Sequence, residues 1–291
     1  MLCLSFYGAS FPQPLMPSLI VSGDETLVAS AIATEPPFNA DGTGKSDATE
    51  AIQAALNAVG SAGGGVVYLP PGHYLLGGTL KLPYATTLAG AAEPLARDDV
   101  ASATLLLVNN PGGDEKAPPL LDLSSVECGL MHLAIYYPLQ RPDAPVPYPF
   151  TISGQMMRVR DIILCNSYNG MEVTAVNCSV IARVRGTALR RGLAAPHSGE
   201  FSWMNEVQFS PDFWADTADQ LGDPNWRAGD AELISDYCKA NLVGFELGRL
   251  DGIALYRCGA EIAKTGFLIQ KRPEEKDRKS TRLNSSHVSQ S

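Results

Sequence analysis

Between residues 203 and 216 the chain reads Trp203-Met-Asn-Glu206, then Asp212-Phe-Trp-Ala-Asp216, so three carboxylates share a short stretch with two indole rings. Such clusters suit carbohydrate clefts. Aromatic rings stack on the apolar face of a pyranose, and two carboxyl groups about 5 to 9.5 Å apart can break a glycosidic bond. Glu206 and Asp212 are therefore the candidate catalytic carboxylates, and Trp203, Trp214 and Asp216 the candidate substrate contacts. Depending on strand phase, Glu206 beside Val207 is equally a solvated outward residue.

Just upstream, Arg183, Arg185, Arg190 and Arg191 form a local basic group. Elimination on an acidic sugar needs a base at the sugar C5 and a cation that neutralises the uronate. Arg183 and Arg185 are the candidates for holding such a sugar, although arginines flanking a strand also pair with acids on the next strand. No cofactor is evident, and Ca²⁺ enters only if the chemistry is that of a lyase. No acidic cluster has calcium spacing, and His73, His132 and His197 stand apart from one another and from any cysteine pair, so no zinc site is expected. Asn166 and Asn177, at strand ends, read as stacked turn residues. Gly42-Thr-Gly-Lys-Ser46 imitates a phosphate-binding loop, but residue 39 is Asn where its first Gly belongs, and Pro36-Pro37 stands where a feeding strand is required.

The elements that position these residues are mostly short strands. Ser46 to Val59 is the one strong helix, with Ile52, Ala55, Leu56 and Val59 on one face, Ser46 or Asp47 as the cap and Gly60 as the stop. After Gly63-Gly64-Gly65 the period becomes strand-like: Val66 to Leu69, His73 to Leu76, Thr79 to Leu82 and Thr86 to Leu88 alternate with Pro and Gly, and no further long helix is evident. From about residue 120 a repeat emerges. Gly170-Met-Glu-Val and Gly192-Leu-Ala-Ala share the spacing of Gly244-Phe-Glu-Leu and Gly266-Phe-Leu-Ile, a unit of roughly 22 residues. One such unit cannot bury its own apolar face, so it must stack on its neighbours into a solenoid, with the early helix as a cap over the first coil. A sandwich of antiparallel strands is the rival, but Asp41-Gly42, Asn169-Gly170 and Asp251-Gly252 are too few hairpin signals to build one.

Composition agrees with a folded, turn-rich chain. Of 291 residues 45% are hydrophobic and 18% charged, with 27 Gly and 21 Pro. The net charge of −9, without any basic stripe, argues against a nucleic-acid partner. No apolar stretch reaches the ~18 residues that span a bilayer, so no membrane partner is expected. Residues 1–35 form a lead segment whose apolar part lacks a preceding Lys or Arg and is broken by Pro12, Pro14 and Pro17; secreted, periplasmic and cytoplasmic placements stay equally open. The six cysteines are too sparse for a disulfide framework and read as buried free thiols. Residues 277–291 turn wholly polar, and Asp277 to His287 resembles a translated sequencing adapter, so natural sequence is expected to stop near Lys276.

Phe38 to Asp47, the helix after it, the glycine run and Val66-Val-Tyr-Leu-Pro-Pro-Gly-His-Tyr74 together resemble the N-terminal signature of the pectate lyase superfamily. Further on, Leu133 to Gln140, Tyr148 to Ile152, Val184 to Leu189 and Val207 to Trp214 are similar to a bacterial branch of that superfamily, which brings the coverage to residues 36–276. The resemblance implies an all-β chain: a right-handed parallel β-helix with an N-terminal capping α-helix, truncated at its C-terminal end. It also implies a polysaccharide or oligosaccharide partner, met by a glycoside hydrolase, a polysaccharide lyase or a non-catalytic tailspike-like binder, the remaining alternative being an inactive fragment that lacks its catalytic coils. The Asn-Thr-Asp element of its polygalacturonase-like members is absent, and Asp98-Asp99 is the only Asp-Asp pair.

Overall fold

The structure, a computed structural model, describes residues 29–91, 103–174 and 178–270. Most of the lead segment and all of the adapter-like run lie outside the described residues, as do Asn177 and Asp98-Asp99. The elements follow in the order β1 (Ala31–Ile32), β2 (Thr43–Asp47), α1 (Thr49–Ser61), β3 (Gly65–Tyr68), β4 (Gly72–Leu76), β5 (Leu80–Lys81), β6 (Thr86–Ala89), β7 (Thr104–Val108), β8 (Leu121–Leu123), β9 (Gly129–Tyr136), β10 (Phe150–Gly154), β11 (Arg158–Val173), β12 (Val180–Phe209), α2 (Asp212–Leu221), α3 (Asp230–Asn241), β13 (Val243–Tyr256), β14 (Gly259–Ala260) and β15 (Thr265–Ile269).

Every described strand pairing is parallel, which removes the antiparallel sandwich. The pairings trace three faces of one coil. The first runs β1–β3–β6 and then through the N-terminal parts of β9, β11 and β12. The second runs β2–β4–β7 into the C-terminal part of β9 and onward to β14. The third runs β5–β8–β10 and through the C-terminal end of β11, the middle of β12 and the start of β13 to β15. β12 is long enough to lie on itself: the Trp203 amide donates to the Ser179 carbonyl at 2.8 Å and the Ser210 amide to the Gly186 carbonyl at 2.9 Å. This places Arg183 beneath Glu206.

The core is the axis of the coil. Leu80, Leu121, Ile152, Met171, Leu193 and Phe245 share one register column of the third face, all at 0% exposure. The repeated glycines sit one position earlier, where backbones touch: a Cβ on Gly192 would lie 2.4 Å from the Gly244 carbonyl oxygen and 2.5 Å from the Phe209 ring. The repeat thus marks where coils approach too closely for a side chain.

The α1 helix buries Ile52, Ala55, Leu56 and Val59, the stripe its spacing predicts. It begins later than expected, with Asp47 accepting the Thr49 amide at 2.8 Å, and it runs through Gly60 rather than stopping there. Gly60 serves packing instead, because a Cβ there would meet Pro83 at 2.4 Å. α1 lies within the strand-bearing region, against β1, β3, β5 and β6. The expectation of no further long helix does not hold, because two helices of 10 and 12 residues follow. Phe213, Trp214, Thr217 and Ala218 form the buried stripe of α2, a helical period hidden inside the cluster of acids and aromatics, and α3 follows it.

Among the described residues the five cysteines are free thiols; Cys128, Cys165 and Cys238 are buried and Cys178 is exposed. Burial pushes the Cys128 thiol up to about 11 and those of Cys165 and Cys238 up to about 12. A thiol reagent at neutral pH is therefore expected to label Cys178 in the folded protein and spare these three until denaturant is added, read by mass spectrometry of labelled peptides. Native labelling of Cys165 as fast as that of Cys178 would contradict this packing.

Candidate functional site

The first and second faces meet at a corner built from left-handed residues. His132, Asp161, Arg183, Glu206 and Arg257 occupy one register column on successive coils, with φ of 59°, 56°, 51°, 56° and 54°. Side chains other than glycine rarely adopt this backbone, and here the local flip turns the chain from one face to the next. Coils stack about 4.8 Å apart, so like charges in one column would repel along its length. Acid and base alternate instead from Asp161 to Arg257.

Asp161 is the deepest member, its side chain 1% exposed. Arg183 clamps it with two bonds, Nε to Oδ1 at 2.5 Å and Nη2 to Oδ2 at 2.7 Å. His132 Nε2 lies 3.5 Å from Oδ2 on the other side. One coil on, Glu206 sits between two guanidinium groups: Arg257 Nη1 at 3.0 Å and Arg185 Nη2 at 3.8 Å. Both arginines border a cleft of about 490 Å³ that Gln208, Phe213, Cys258 and Glu261 also line. Arg185 Nε is buried with no hydrogen-bond partner among the described residues. An unpaired buried donor is costly, so this atom is set for an acceptor entering the cleft.

The structure sorts the residues expected from sequence. Arg185 lines the cleft, and Glu206 borders it through its pairs with Arg185 and Arg257. Arg183 is committed to Asp161 and is a framework residue. Asp212 is exposed at the start of α2, beside the cleft-lining Phe213, and Asp216 lies one turn further on, half-buried. Trp203 is half-buried, its ring 6.0 Å from that of Phe201. Trp214 must be withdrawn as a sugar contact: it is 1% exposed, its ring lies 6.3 Å from that of Trp226, and its backbone amide donates to Thr187 Oγ1 at 2.9 Å. Asn166 lies buried inside β11, at the register shift between Leu164 and Ser167, where it accepts the Tyr137 amide at 2.8 Å and donates to its carbonyl at 3.0 Å.

The turn between α2 and α3 is pinned to the coil. Tyr136, 3% exposed, donates its hydroxyl to Asp223, and burial together with that carboxylate drives the phenol far above its usual range. The sequence reading missed Asp161, Gln208, Arg257 and Glu261. Asp161 carried a signal, since its spacing to Arg183 equals that of the repeated glycines; Arg257 did not, because the two helices lengthen the coil between it and Glu206. Among the described residues no group of three or more His, Cys, Asp or Glu side chains is arranged to hold a metal ion.

Residues 37–112, which cover β2, α1 and β3 to β7, match the family model described as rhamnogalacturonase A/epimerase, pectate lyase-like. This N-terminal part of the chain is thus similar to the pectate lyase-like family. Over 41 residues the chain is 58% identical to Alginate lyase 7 of Azotobacter vinelandii, a match covering 14% of this chain and 5% of that protein. Mannuronan C5-epimerase AlgE6 of the same organism is 40% identical over 89 residues, 27% of this chain and 10% of that one. The chain thus spans a tenth or less of these curated relatives. Among solved structures the Dettilon tailspike protein aligns with 61% of this chain and 32% of its own at 13% identity and a TM-score of 0.48. The A-module of mannuronan C-5 epimerase AlgE6 aligns with 62% and 59% at 19% identity and a TM-score of 0.35.

Proposed function

We propose that this pectate lyase-like chain acts on a uronate-bearing polysaccharide at the Glu206 cleft, by lyase- or epimerase-type chemistry at the sugar C5. The observation that carries the reading is the convergence of Arg185 and Arg257 on the Glu206 carboxylate at an open cleft. Two guanidinium groups that hold one carboxylate can hold another. An incoming uronate competes with Glu206 for them, and the exchange frees Glu206 to take the C5 proton. If the electron pair left at C5 forms a C4=C5 double bond as the C4–O bond breaks, and the leaving oxygen takes a proton from water, an unsaturated uronate and a new reducing end result. If a proton returns to C5 from the opposite face, the sugar is epimerised without cleavage. The names of the relatives, an alginate lyase and mannuronan epimerases, agree with a substrate of this kind. On the same reading α1 caps the first coil and the coil winds right-handed.

The test is incubation with alginate, polygalacturonate and a neutral glucan in deuterated water, following ultraviolet absorbance, reducing ends and deuterium at C5. Signal is expected on the acidic polymers alone, and Arg185→Ala and Arg257→Ala are each expected to lower it about 10- to 100-fold, the worth of a charged hydrogen bond. Reducing ends without absorbance or deuterium would mean hydrolysis, and binding without any product would mean a glycan-binding role. Equal action on the neutral glucan would remove the uronate from the reading.

A further inference from the structure

The outward side chains of β12 do not end at the cleft. Ser202 and Met204 point into the coil at 1% and 0% exposure, so alternation places Phe201, Trp203 and Asn205 on its outer surface, ahead of the turn at Glu206. Phe201 is 53% exposed, and Tyr256, paired in register with Asn205, is 61% exposed. Solvated aromatic rings grouped on one face are unusual for a protein surface with no ligand to meet. Asn205 Oδ1, between these rings and Glu206, is buried without a hydrogen-bond partner among the described residues. Two coils back, in the column of Trp203, Arg158 is exposed and adds positive charge to the same face.

We propose that Phe201, Trp203, Asn205 and Tyr256 form a glycan subsite that continues from the cleft, where the rings stack on pyranose faces and Asn205 Oδ1 accepts a sugar hydroxyl. The proposal rests on the cleft being the polysaccharide site. Trp203 lies three residues from Glu206 along an extended strand, a separation of ~10 Å, and Phe201 lies two residues beyond. A sugar held at the cleft therefore reaches the rings only as part of a chain longer than a disaccharide. The occupant is a glycan chain rather than a second protein surface, because the strip reaches the corner at Glu206, whose partners Arg185 and Arg257 line the cleft, and carries its own unsatisfied hydroxyl acceptor.

The experiment is calorimetric titration of the folded protein with uronate oligomers of increasing length, for the wild type, Phe201→Ala, Tyr256→Ala and Arg257→Ala. Both aromatic residues are exposed, so an unchanged melting temperature is expected and serves as the folding control. Each aromatic variant is expected to weaken long oligomers roughly fivefold, and Phe201→Ala, the more distant of the two, to leave disaccharide affinity unchanged. Arg257→Ala is expected to weaken every length. If the aromatic variants bind all lengths like the wild type while Arg257→Ala weakens them, the subsite is refuted and the cleft stands. If they alter the oligomeric state in sedimentation and leave glycan affinity intact, the rings serve a protein contact and the subsite is again refuted. Absence of glycan binding by the wild type refutes both.

Discussion

Arg183→Ala is expected to destabilise the protein by about 3–5 kcal/mol, one of the two largest effects of any single change described. Removing the guanidinium takes away both of its bonds to Asp161, whose side chain is 1% exposed, and leaves His132 Nε2 at 3.5 Å. The cost comes from a buried charge that has lost its bidentate partner, not from the attraction itself. The double variant Asp161→Asn/Arg183→Gln should therefore be less destabilised than the two single changes added together. Asn is chosen because it tolerates the left-handed backbone at Asp161, where φ is 56°. Urea unfolding, read from the midpoint at constant slope, measures both quantities. A loss under about 1 kcal/mol for Arg183→Ala would mean that the pair is solvated like a surface salt bridge, and the corner column would lose its structural role.

Trp214→Ala is expected to cost about 3–5 kcal/mol as well, by a different route. The indole fills the space between α2 and the coil, with Phe213, Thr217 and Ala218 on the same helix face. Emptying that space loosens α2 from β11 and β12, the strands it packs against. Proteolysis should then begin between residues 212 and 241 well before the coil itself unfolds. The measurement is a thermal midpoint together with mapped cleavage sites. An unchanged midpoint with weakened sugar binding would return Trp214 to the substrate and overturn its place in the core.

Residues that face the site carry smaller structural effects and larger functional ones. Glu206, Arg185 and Arg257 are 20%, 37% and 62% exposed at their side chains, so solvent screens their pairing and their removal should leave the fold largely intact. This division between a buried half of the corner and an open half is what makes the two sets of variants separable.

The sequence by itself determined the solenoid. Short strands broken by Gly and Pro, glycines at one spacing, and an amphipathic helix ahead of them state that no single unit buries its own apolar face; stacking is the only remedy, and the parallel pairings are that remedy. Resemblance added the superfamily, through motifs in β2, α1, β3 and β4. Two things were decided only in three dimensions. The helices α2 and α3 were hidden because Asp212-Phe-Trp-Ala-Asp216 reads as a chemical cluster, and a helical stripe of two aromatics is recognisable only once a face exists to cover it. The corner column was hidden because its members lie on five different coils and hold a backbone conformation that no propensity assigns to His, Asp, Arg or Glu. The register of the stacked coils brings Arg257 to Glu206, and that register is a property of the whole core rather than of any local run of residues.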